Sequence, residues 1–316
     1  MDRLSHALVL TAGVGSRLDP LTRVRAKPAV PVAGEPLVRR IISSLVAQGT
    51  TSLVLNLHHL PATIAAVVGD GQDLGATVRY SWEQPQILGS AGGPAHALPL
   101  IDAATFAIVN GDTLSDVSLS ALAAAHASEE ALVTMALVPN LEPHKYGGVQ
   151  MDSKGVVTGF VPRGAAAAAS FHFVGVQIVE AEVFRSVPTG AVRGVIGHAA
   201  GHRGVYDALI LNQPGRVRGM VSEVTFHDVG TVADYVTTSF ALAGGQADRV
   251  IQGRDNTIDA SATVTRSILW DRVAIGPRCR LEGCIVTDGV RVPTGREYRD
   301  SVLLATPDGI ESVPIT

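Results

Sequence analysis

The sequence is poor in the residues that build stapled or metal-bound small domains. Its 316 residues contain two cysteines, Cys279 and Cys284. Two are too few for a disulfide framework or a four-cysteine zinc site, so both are expected to be reduced and packed. Aromatic residues amount to 4%, and the two tryptophans, Trp82 and Trp270, read as packing residues rather than base-stacking platforms. The ten histidines show no ligand spacing: His58 and His59 are adjacent, so they point different ways. Long runs of one charge sign are missing, and 25 basic against 29 acidic residues give a net charge of −4. That excludes a generic nucleic-acid or anionic-membrane surface, so any phosphate must be met by a local site. No apolar run reaches the ~20 residues of a membrane helix. Ala7 to Leu10 imitates a short signal core, but it enters a glycine loop and reads better as a buried first strand. A cytoplasmic protein is expected.

What is present is a chain 46% hydrophobic, with 33 glycines and 17% charged residues, which suits a globular protein with a large buried sheet and many tight turns. Strands are predicted at His6 to Leu10, Ser52 to Leu57, Thr77 to Trp82 and Thr105 to Val109. Between them, apolar spacing predicts helices at Pro36 to Val46 and Pro61 to Val68, with another at Leu119 to His126. This alternation argues for a mostly parallel sheet covered on both faces. Strand-like segments dominate from Val133 to Phe226, so the sheet should become mixed. The alanine run from Gly164 to Ser170 reads as a mobile loop or a short helix.

After Ala243-Gly244-Gly245-Gln246 the composition changes and the chain repeats. Ile251, Ile268, Ile285 and Val302 recur every 17 residues, as do Ile258, Ile275 and Val292, and Val264, Leu281 and Tyr298. Asp271 and Asp288 share one phase. Aliphatic positions at a fixed long period mean stacked coils, and 17 is close to three six-residue sides, so a short triangular β-helix is expected. The predicted domains are 1–245 and 246–316.

The first strand leads into Thr11-Ala12-Gly13-Val14-Gly15-Ser16-Arg17-Leu18. Its glycines permit a tight turn whose backbone N–H groups can cradle a phosphate. It lacks the third glycine of a dinucleotide fingerprint and the Gly-Lys-Ser/Thr end of a P-loop. Ala26-Lys27-Pro28 follows, placing Lys27 ten residues after Arg17 on a proline-stiffened segment. A triphosphate needs such cations.

These residues resemble the N-terminal motif of the sugar-nucleotide pyrophosphorylases, the sugar-1-phosphate nucleotidyltransferases: residues 10–22 match throughout, and only the first proline of the following Pro-Lys-Pro is changed, to Ala26. The similarity extends from about residue 6 to 243, and the solenoid resembles the C-terminal domain of bacterial mannose-1-phosphate guanylyltransferases. The resemblance implies an α/β fold, a Rossmann-like, GT-A-like mixed sheet followed by a short left-handed β-helix. It also implies an enzyme that takes a nucleoside triphosphate and a sugar-1-phosphate. Leu10, Ala12, Gly13, Gly15, Ser16, Gln84, Gly89, Ser90 and Gly111 would contact the nucleotide. Arg17 would neutralise the departing pyrophosphate, and Lys27 would bridge the reacting phosphates. Asp112, after the strand ending at Val109, and Asp228, in His227-Asp228-Val229-Gly230-Thr231, would hold one Mg²⁺, with Asp112 counted as catalytic. Gly147, Arg163 and Gly175 would meet the sugar phosphate. Here the sequence departs from the family's Phe-x-Glu-Lys-Pro: it reads Phe160-Val161-Pro162-Arg163-Gly164, so Arg163 keeps the charge while Pro162 cannot replace the glutamate. Phe173-Val174-Gly175-Val176 likewise lacks the usual polar residue.

The expected reaction is attack of a sugar-1-phosphate oxygen on the α-phosphorus. It requires no activated serine, cysteine or histidine, because a phosphate monoester with its second pKa near ~6 is already nucleophilic. The best reading is GTP with mannose-1-phosphate. Uridylyl or thymidylyl transfer to a glucose, N-acetylmuramate or heptose phosphate remains open, as does a non-catalytic sugar-nucleotide sensor. A dehydrogenase would want a third loop glycine. An acyltransferase would want a base that the histidine-free solenoid does not offer. A homo-oligomer is expected, with neither nucleic acid nor membrane as partner.

Overall fold

The computed structural model describes residues 4–199, 202–246 and 249–315. Contacts gather the chain into two compact units. One comprises Met1–Gly13, Ile41–Pro61 and Val68–Phe226; the other comprises Val14–Arg40, Ala62–Val67 and His227–Thr316.

The first unit is built on a nine-stranded sheet. Its strands are β1 (His6–Leu10), β2 (Ser52–Leu57), β3 (Thr77–Trp82), β4 (Thr105–Asn110), β5 (Val133–Pro139), β6 (Gly148–Met151), β7 (Val157–Val161), β8 (Phe171–Glu180) and β9 (Val217–Val221). Strands β3, β2, β1 and β4 lie side by side and parallel. Such strands are covered on both faces, which is why they read as unbroken apolar runs. Ala7, Leu8 and Val9 are all fully buried. Beyond β4 the sheet is mixed: β8 runs antiparallel to β4 and β5, and β9 runs parallel to β5. The pairing of β8 with β5 shifts between Phe173 and Gln177. Gly175 sits inside that shift at φ 82°, where a Cβ would lie 3.0 Å from the Asn110 side chain. Both the left-handed backbone and the close approach require glycine.

The helices are α1 (Leu37–Ala47), α2 (Pro61–Val68), α3 (Gly89–Ile101), α4 (Leu119–Ser128), α5 (Glu182–Arg185), α6 (Val205–Asn212) and α7 (Val232–Leu242). The first, second and fourth match the spacing-based expectations. The alanine run forms a single short 3₁₀ turn, Ala165–Ala167, which matches the short-helix alternative. Ala167 is fully buried, the Gly164 N–H donates to the Pro143 carbonyl at 2.7 Å, and the Ser170 hydroxyl donates to the Ala167 carbonyl at 2.6 Å.

In the second unit the 17-residue period is realised as three parallel sheets. Ile251, Ile268, Ile285 and Val302 pair in one, Ile258, Ile275 and Val292 in the next, and Val264, Leu281 and Tyr298 in the third. Corners repeat as well: Asp255, Arg272 and Gly289, like Arg266, Gly283 and Asp300, all take positive φ. Leu269, Ile275, Leu281, Val286 and Val292 fill the interior together with Cys279 and Cys284, which are buried and unbridged. Burial pushes the Cys284 thiol up, as expected for an inert packed cysteine. An antiparallel hairpin, Ser301–Thr306 with Gly309–Pro314, closes the first of these sheets.

Trp270 is fully buried, as expected, whereas Trp82 is 51% exposed at the end of β3, an edge strand with no further neighbour to cover it. The Trp270 indole donates to the Tyr235 hydroxyl at 2.9 Å, and that hydroxyl donates to the Pro31 carbonyl at 2.9 Å. Trp270→Ala removes a large side chain from this bonded site. It is expected to lower the unfolding free energy by about 4 kcal/mol, read as a lower urea midpoint at unchanged slope.

Candidate active site

Ligands of open parallel sheets bind beyond the carboxyl ends of the strands. In the first unit a buried polar chain ties three of those ends together. The Thr11 N–H donates to Asn56 Oδ1 at 2.6 Å, and the Thr11 hydroxyl donates to the Asn56 carbonyl. Asn56 Nδ2 donates to Glu83 Oε1 at 2.7 Å, and Glu83 Oε2 accepts the Leu88 N–H at 2.6 Å. Glu83 is fully buried, and a Cβ on Gly93 would fall 2.5 Å from its carboxylate. A buried carboxylate is tolerable only when its oxygens are bonded, so this chain fixes the turns after β1 and β3 relative to each other. The His58 ring, packed here, bonds the Glu83 carbonyl at 2.8 Å.

Around this anchor lie the predicted nucleotide residues of the unit. Leu10 accepts the Gly111 N–H at 3.0 Å, and a Cβ on Gly111 would sit 2.5 Å from the Leu10 oxygen. Ala12 is buried and Gly13 exposed, with nothing within 4 Å of where a Gly13 Cβ would be, so a ligand can approach the backbone there. Asp112 is partly exposed and accepts the Thr113 hydroxyl at 3.3 Å. Gln84 is exposed. Gly89 takes φ 80°, and a Cβ on it would lie 2.7 Å from the Arg193 carbonyl. That carbonyl accepts the Ala91 and Gly92 N–H groups at 2.9 and 3.2 Å, and Ser90 Oγ accepts the Val195 N–H at 3.0 Å. The first donors of α3 are therefore taken up by the 193–195 segment.

Gly147 lies where β6 meets β7: a Cβ there would be 3.1 Å from the Val161 carbonyl and 3.8 Å from the Arg163 nitrogen. Arg163 is exposed. Gly147 and Pro162 line a concavity of about 530 Å³ together with Phe160, Ile196, Arg203 and Asp207. Asp207 accepts the Gly197 N–H at 2.7 Å. Beside it, Tyr146 stacks on His172 at 3.9 Å between centroids, with Phe226 tilted against His172. Burial, assisted by Lys145, pushes the His172 ring down to about 4, so it is neutral at physiological pH.

In the second unit Gly15 caps the Ser16–Leu18 turn at φ 67°. A Cβ on Gly15 would sit 3.0 Å from Lys27 Cβ and 3.1 Å from Thr22 Cγ2, so the buried Lys27 stem lies directly against the glycine turn. Ser16 and Arg17 are exposed. Arg17 Nη1, Asp228 Oδ2 and Asp234 Oδ2 converge on Gly230, at 3.5, 3.0 and 3.2 Å from a Cβ built there. Asp234 also closes a capping box with Thr231 at the start of α7. The structure thus sets Lys27 against Gly15 and brings Arg17 and Asp228 to the surroundings of Gly230. A glycine turn, two cations and a carboxylate are residue types suited to polyphosphate and a metal.

Sequence reasoning missed Asn56, Arg203, Asp207 and Asp234. A signal existed for two of them: Asn56 is the polar residue inside an apolar strand, and Thr231-x-x-Asp234 before an apolar run is a capping-box pattern.

The nucleotidyl transferase family matches residues 6–244, and the GlmU-like C-terminal hexapeptide family matches residues 220–298. A mannose-1-phosphate guanylyltransferase of Mycobacterium tuberculosis is 30% identical over 92% of this chain and 81% of its own length. An N-acetylmuramate alpha-1-phosphate uridylyltransferase of Neisseria meningitidis is 32% identical over 75% of this chain and 98% of its own. HddC from Yersinia pseudotuberculosis shares the fold with a TM-score of 0.62 at 20% identity, over 75% of this chain and 98% of that one. The glycine turn with its lysine, the open carboxyl ends and these matches agree: the chain belongs to the nucleotidyl transferase family and is a sugar-1-phosphate nucleotidyltransferase.

Proposed function

We propose that the chain transfers a guanylyl group from GTP to mannose-1-phosphate, releasing pyrophosphate, with nucleotidyl transfer assigned to residues 1–245 and a supporting solenoid to 246–316. The observation that carries this reading is the span of the match. The guanylyltransferase relative aligns over 92% of the chain, whereas the uridylyltransferase aligns over 75% of it. Uridylyl transfer to N-acetylmuramate phosphate is the second reading, favoured by that relative's slightly higher identity of 32%.

In the proposed reaction a phosphate oxygen of the sugar-1-phosphate forms a bond to the α-phosphorus. The bond from that phosphorus to the bridging oxygen breaks, and pyrophosphate leaves with the electron pair. The work is positioning and neutralisation of charge. Gly13 and Gly15 admit the phosphates to the backbone, Arg17 meets the departing pyrophosphate, and Lys27 meets the reacting phosphates. Leu10, Ala12, Ser16, Gln84, Gly89, Ser90 and Gly111 shape the nucleotide site. Gly147, Arg163 and Gly175 serve the sugar phosphate.

Mg²⁺ is the proposed metal, with Asp112 and Asp228 as its protein ligands. The two would supply the one or two carboxylates that such an ion takes, with phosphate and water oxygens completing its shell. The ion would supply further neutralisation of the polyphosphate. No helix among the described residues is long and apolar enough to cross a membrane, and the proposal is a cytoplasmic homo-oligomer.

Pyrophosphate release from four triphosphates, each against several sugar-1-phosphates, should be fastest with GTP and mannose-1-phosphate. Rapid release with UTP and none with GTP would sink the guanylyl reading. Asp112→Asn and Asp228→Asn should each lower kcat by roughly 10²-fold with circular dichroism unchanged, and near-normal turnover in both would remove these residues from the reaction. Arg163→Ala should raise KM for the sugar phosphate far more than KM for the triphosphate; equal values to wild type would assign that charge elsewhere, with Arg203 the next cation to replace.

A further inference from the structure

Lys27 is carried by little regular structure. One single turn, Leu21–Arg23, precedes it and it begins another, Lys27–Ala29, and such short 3₁₀ pieces hold no fixed position by themselves. Contacts made by the residues around it help to fix its placement. The Ala26 N–H donates to the Thr63 hydroxyl at 3.0 Å, and two further anchors belong to the second unit.

The first is Arg25, two residues before the lysine. Its guanidinium forks onto Asp288, Nε to Oδ2 at 2.6 Å and Nη2 to Oδ1 at 2.7 Å, while Nη2 also reaches Asp271 Oδ2 at 2.6 Å. Nη1 returns to the chain at the Ala29 carbonyl, 3.4 Å away, and the guanidinium carbon lies 5.5 Å from the Trp270 ring centroid. Only 8% of Arg25 is exposed. The two aspartates occupy the same corner of successive coils. Each is held in turn by backbone: Asp271 Oδ1 accepts the Arg254 N–H at 2.8 Å, and Asp288 Oδ1 accepts the Asp271 N–H at 3.1 Å. The second contact is Pro31, four residues after the lysine, whose carbonyl accepts the Tyr235 hydroxyl that Trp270 also bonds. Arg25 and Pro31 therefore bracket Lys27, and both are anchored to the stretch of solenoid around Trp270.

A planar fork with bonds on three nitrogens fixes orientation as well as position. As a source of stability a buried ion cluster is weak, because desolvation offsets its attraction. Its stronger effect is geometric. We propose that Arg25, gripped by Asp271 and Asp288, is a positioning residue for Lys27, so that the solenoid serves the reaction by holding the lysine-bearing segment against the glycine turn. This rests on the assignment of Lys27 to the reacting phosphates.

The test uses the full chain with Arg25→Met, and with Asp288→Asn, which keeps shape and removes the fork's charge. Both are expected to lower kcat by about tenfold or more, to leave KM for GTP and for mannose-1-phosphate within about threefold, and to speed amide hydrogen exchange at residues 24–30 while the coil amides at 268–292 stay protected. Wild-type kcat and wild-type exchange in a folded Arg25→Met protein would overturn the proposal. So would exchange that rises equally in the coils, or failure of both variants to fold, since either assigns the cluster to stability alone. A wild-type protein that turns over no triphosphate refutes the proposed reaction instead, and the exchange comparison still decides whether Arg25 holds the segment.

Discussion

Glu83 is a fully buried carboxylate whose oxygens are satisfied by Asn56 and the Leu88 N–H. Through Asn56 the chain of bonds continues to Thr11, so one polar thread runs across the carboxyl ends of β1, β2 and β3. Removing any member strands the others in an apolar interior, at a cost of about 1–3 kcal/mol for each unpaired group. The turn that begins at Thr11 and the loop that leads into α3 therefore take up one arrangement or lose it together. The glycines follow from this. Gly93 makes room for the carboxylate, and Gly111 makes room for the Leu10 carbonyl that steadies the start of the turn.

The second unit solves a different problem. An exposed Arg17 and a buried Lys27 share a segment built of single short turns rather than of long helices or strands. The stem of Lys27 rests on Gly15, and Arg17 shares the space around Gly230 with Asp228.

The period of 17 was legible because every coil obeys the same local rule. An aliphatic residue at most of the recurring positions shows in the sequence without knowledge of what lies beside it, and the strand pairing reproduces the spacing residue for residue. The parallel strands were legible for a related reason, since burial on both faces leaves an uninterrupted apolar run. What could not be read were partnerships between distant residues of ordinary type. Nothing in Ser52 to Leu57 says that Asn56 will face Glu83, and Arg25 looks like one more linker cation until Asp271 and Asp288 are placed beside it. Trp82 shows the converse. Composition suggests burial for a tryptophan, but an edge position leaves it half uncovered.

The pair of aspartates on neighbouring coils also constrains how the solenoid could have grown. A 17-residue coil is self-contained, so tandem duplication can insert one whole without disturbing its own three sides. Where it is inserted matters. Adjacent coils lie about 5 Å apart, and an extra coil between Trp270 and Asp288 would double that to about 10 Å, beyond the span of a single guanidinium. At the other end the hairpin of Ser301–Thr306 and Gly309–Pro314 reverses strand direction, and a parallel coil cannot stack in register on an antiparallel edge. Lengthening that respects both features is excluded between Asp271 and Asp288 and beyond the hairpin, so the two aspartate-bearing coils are inherited as an adjacent pair.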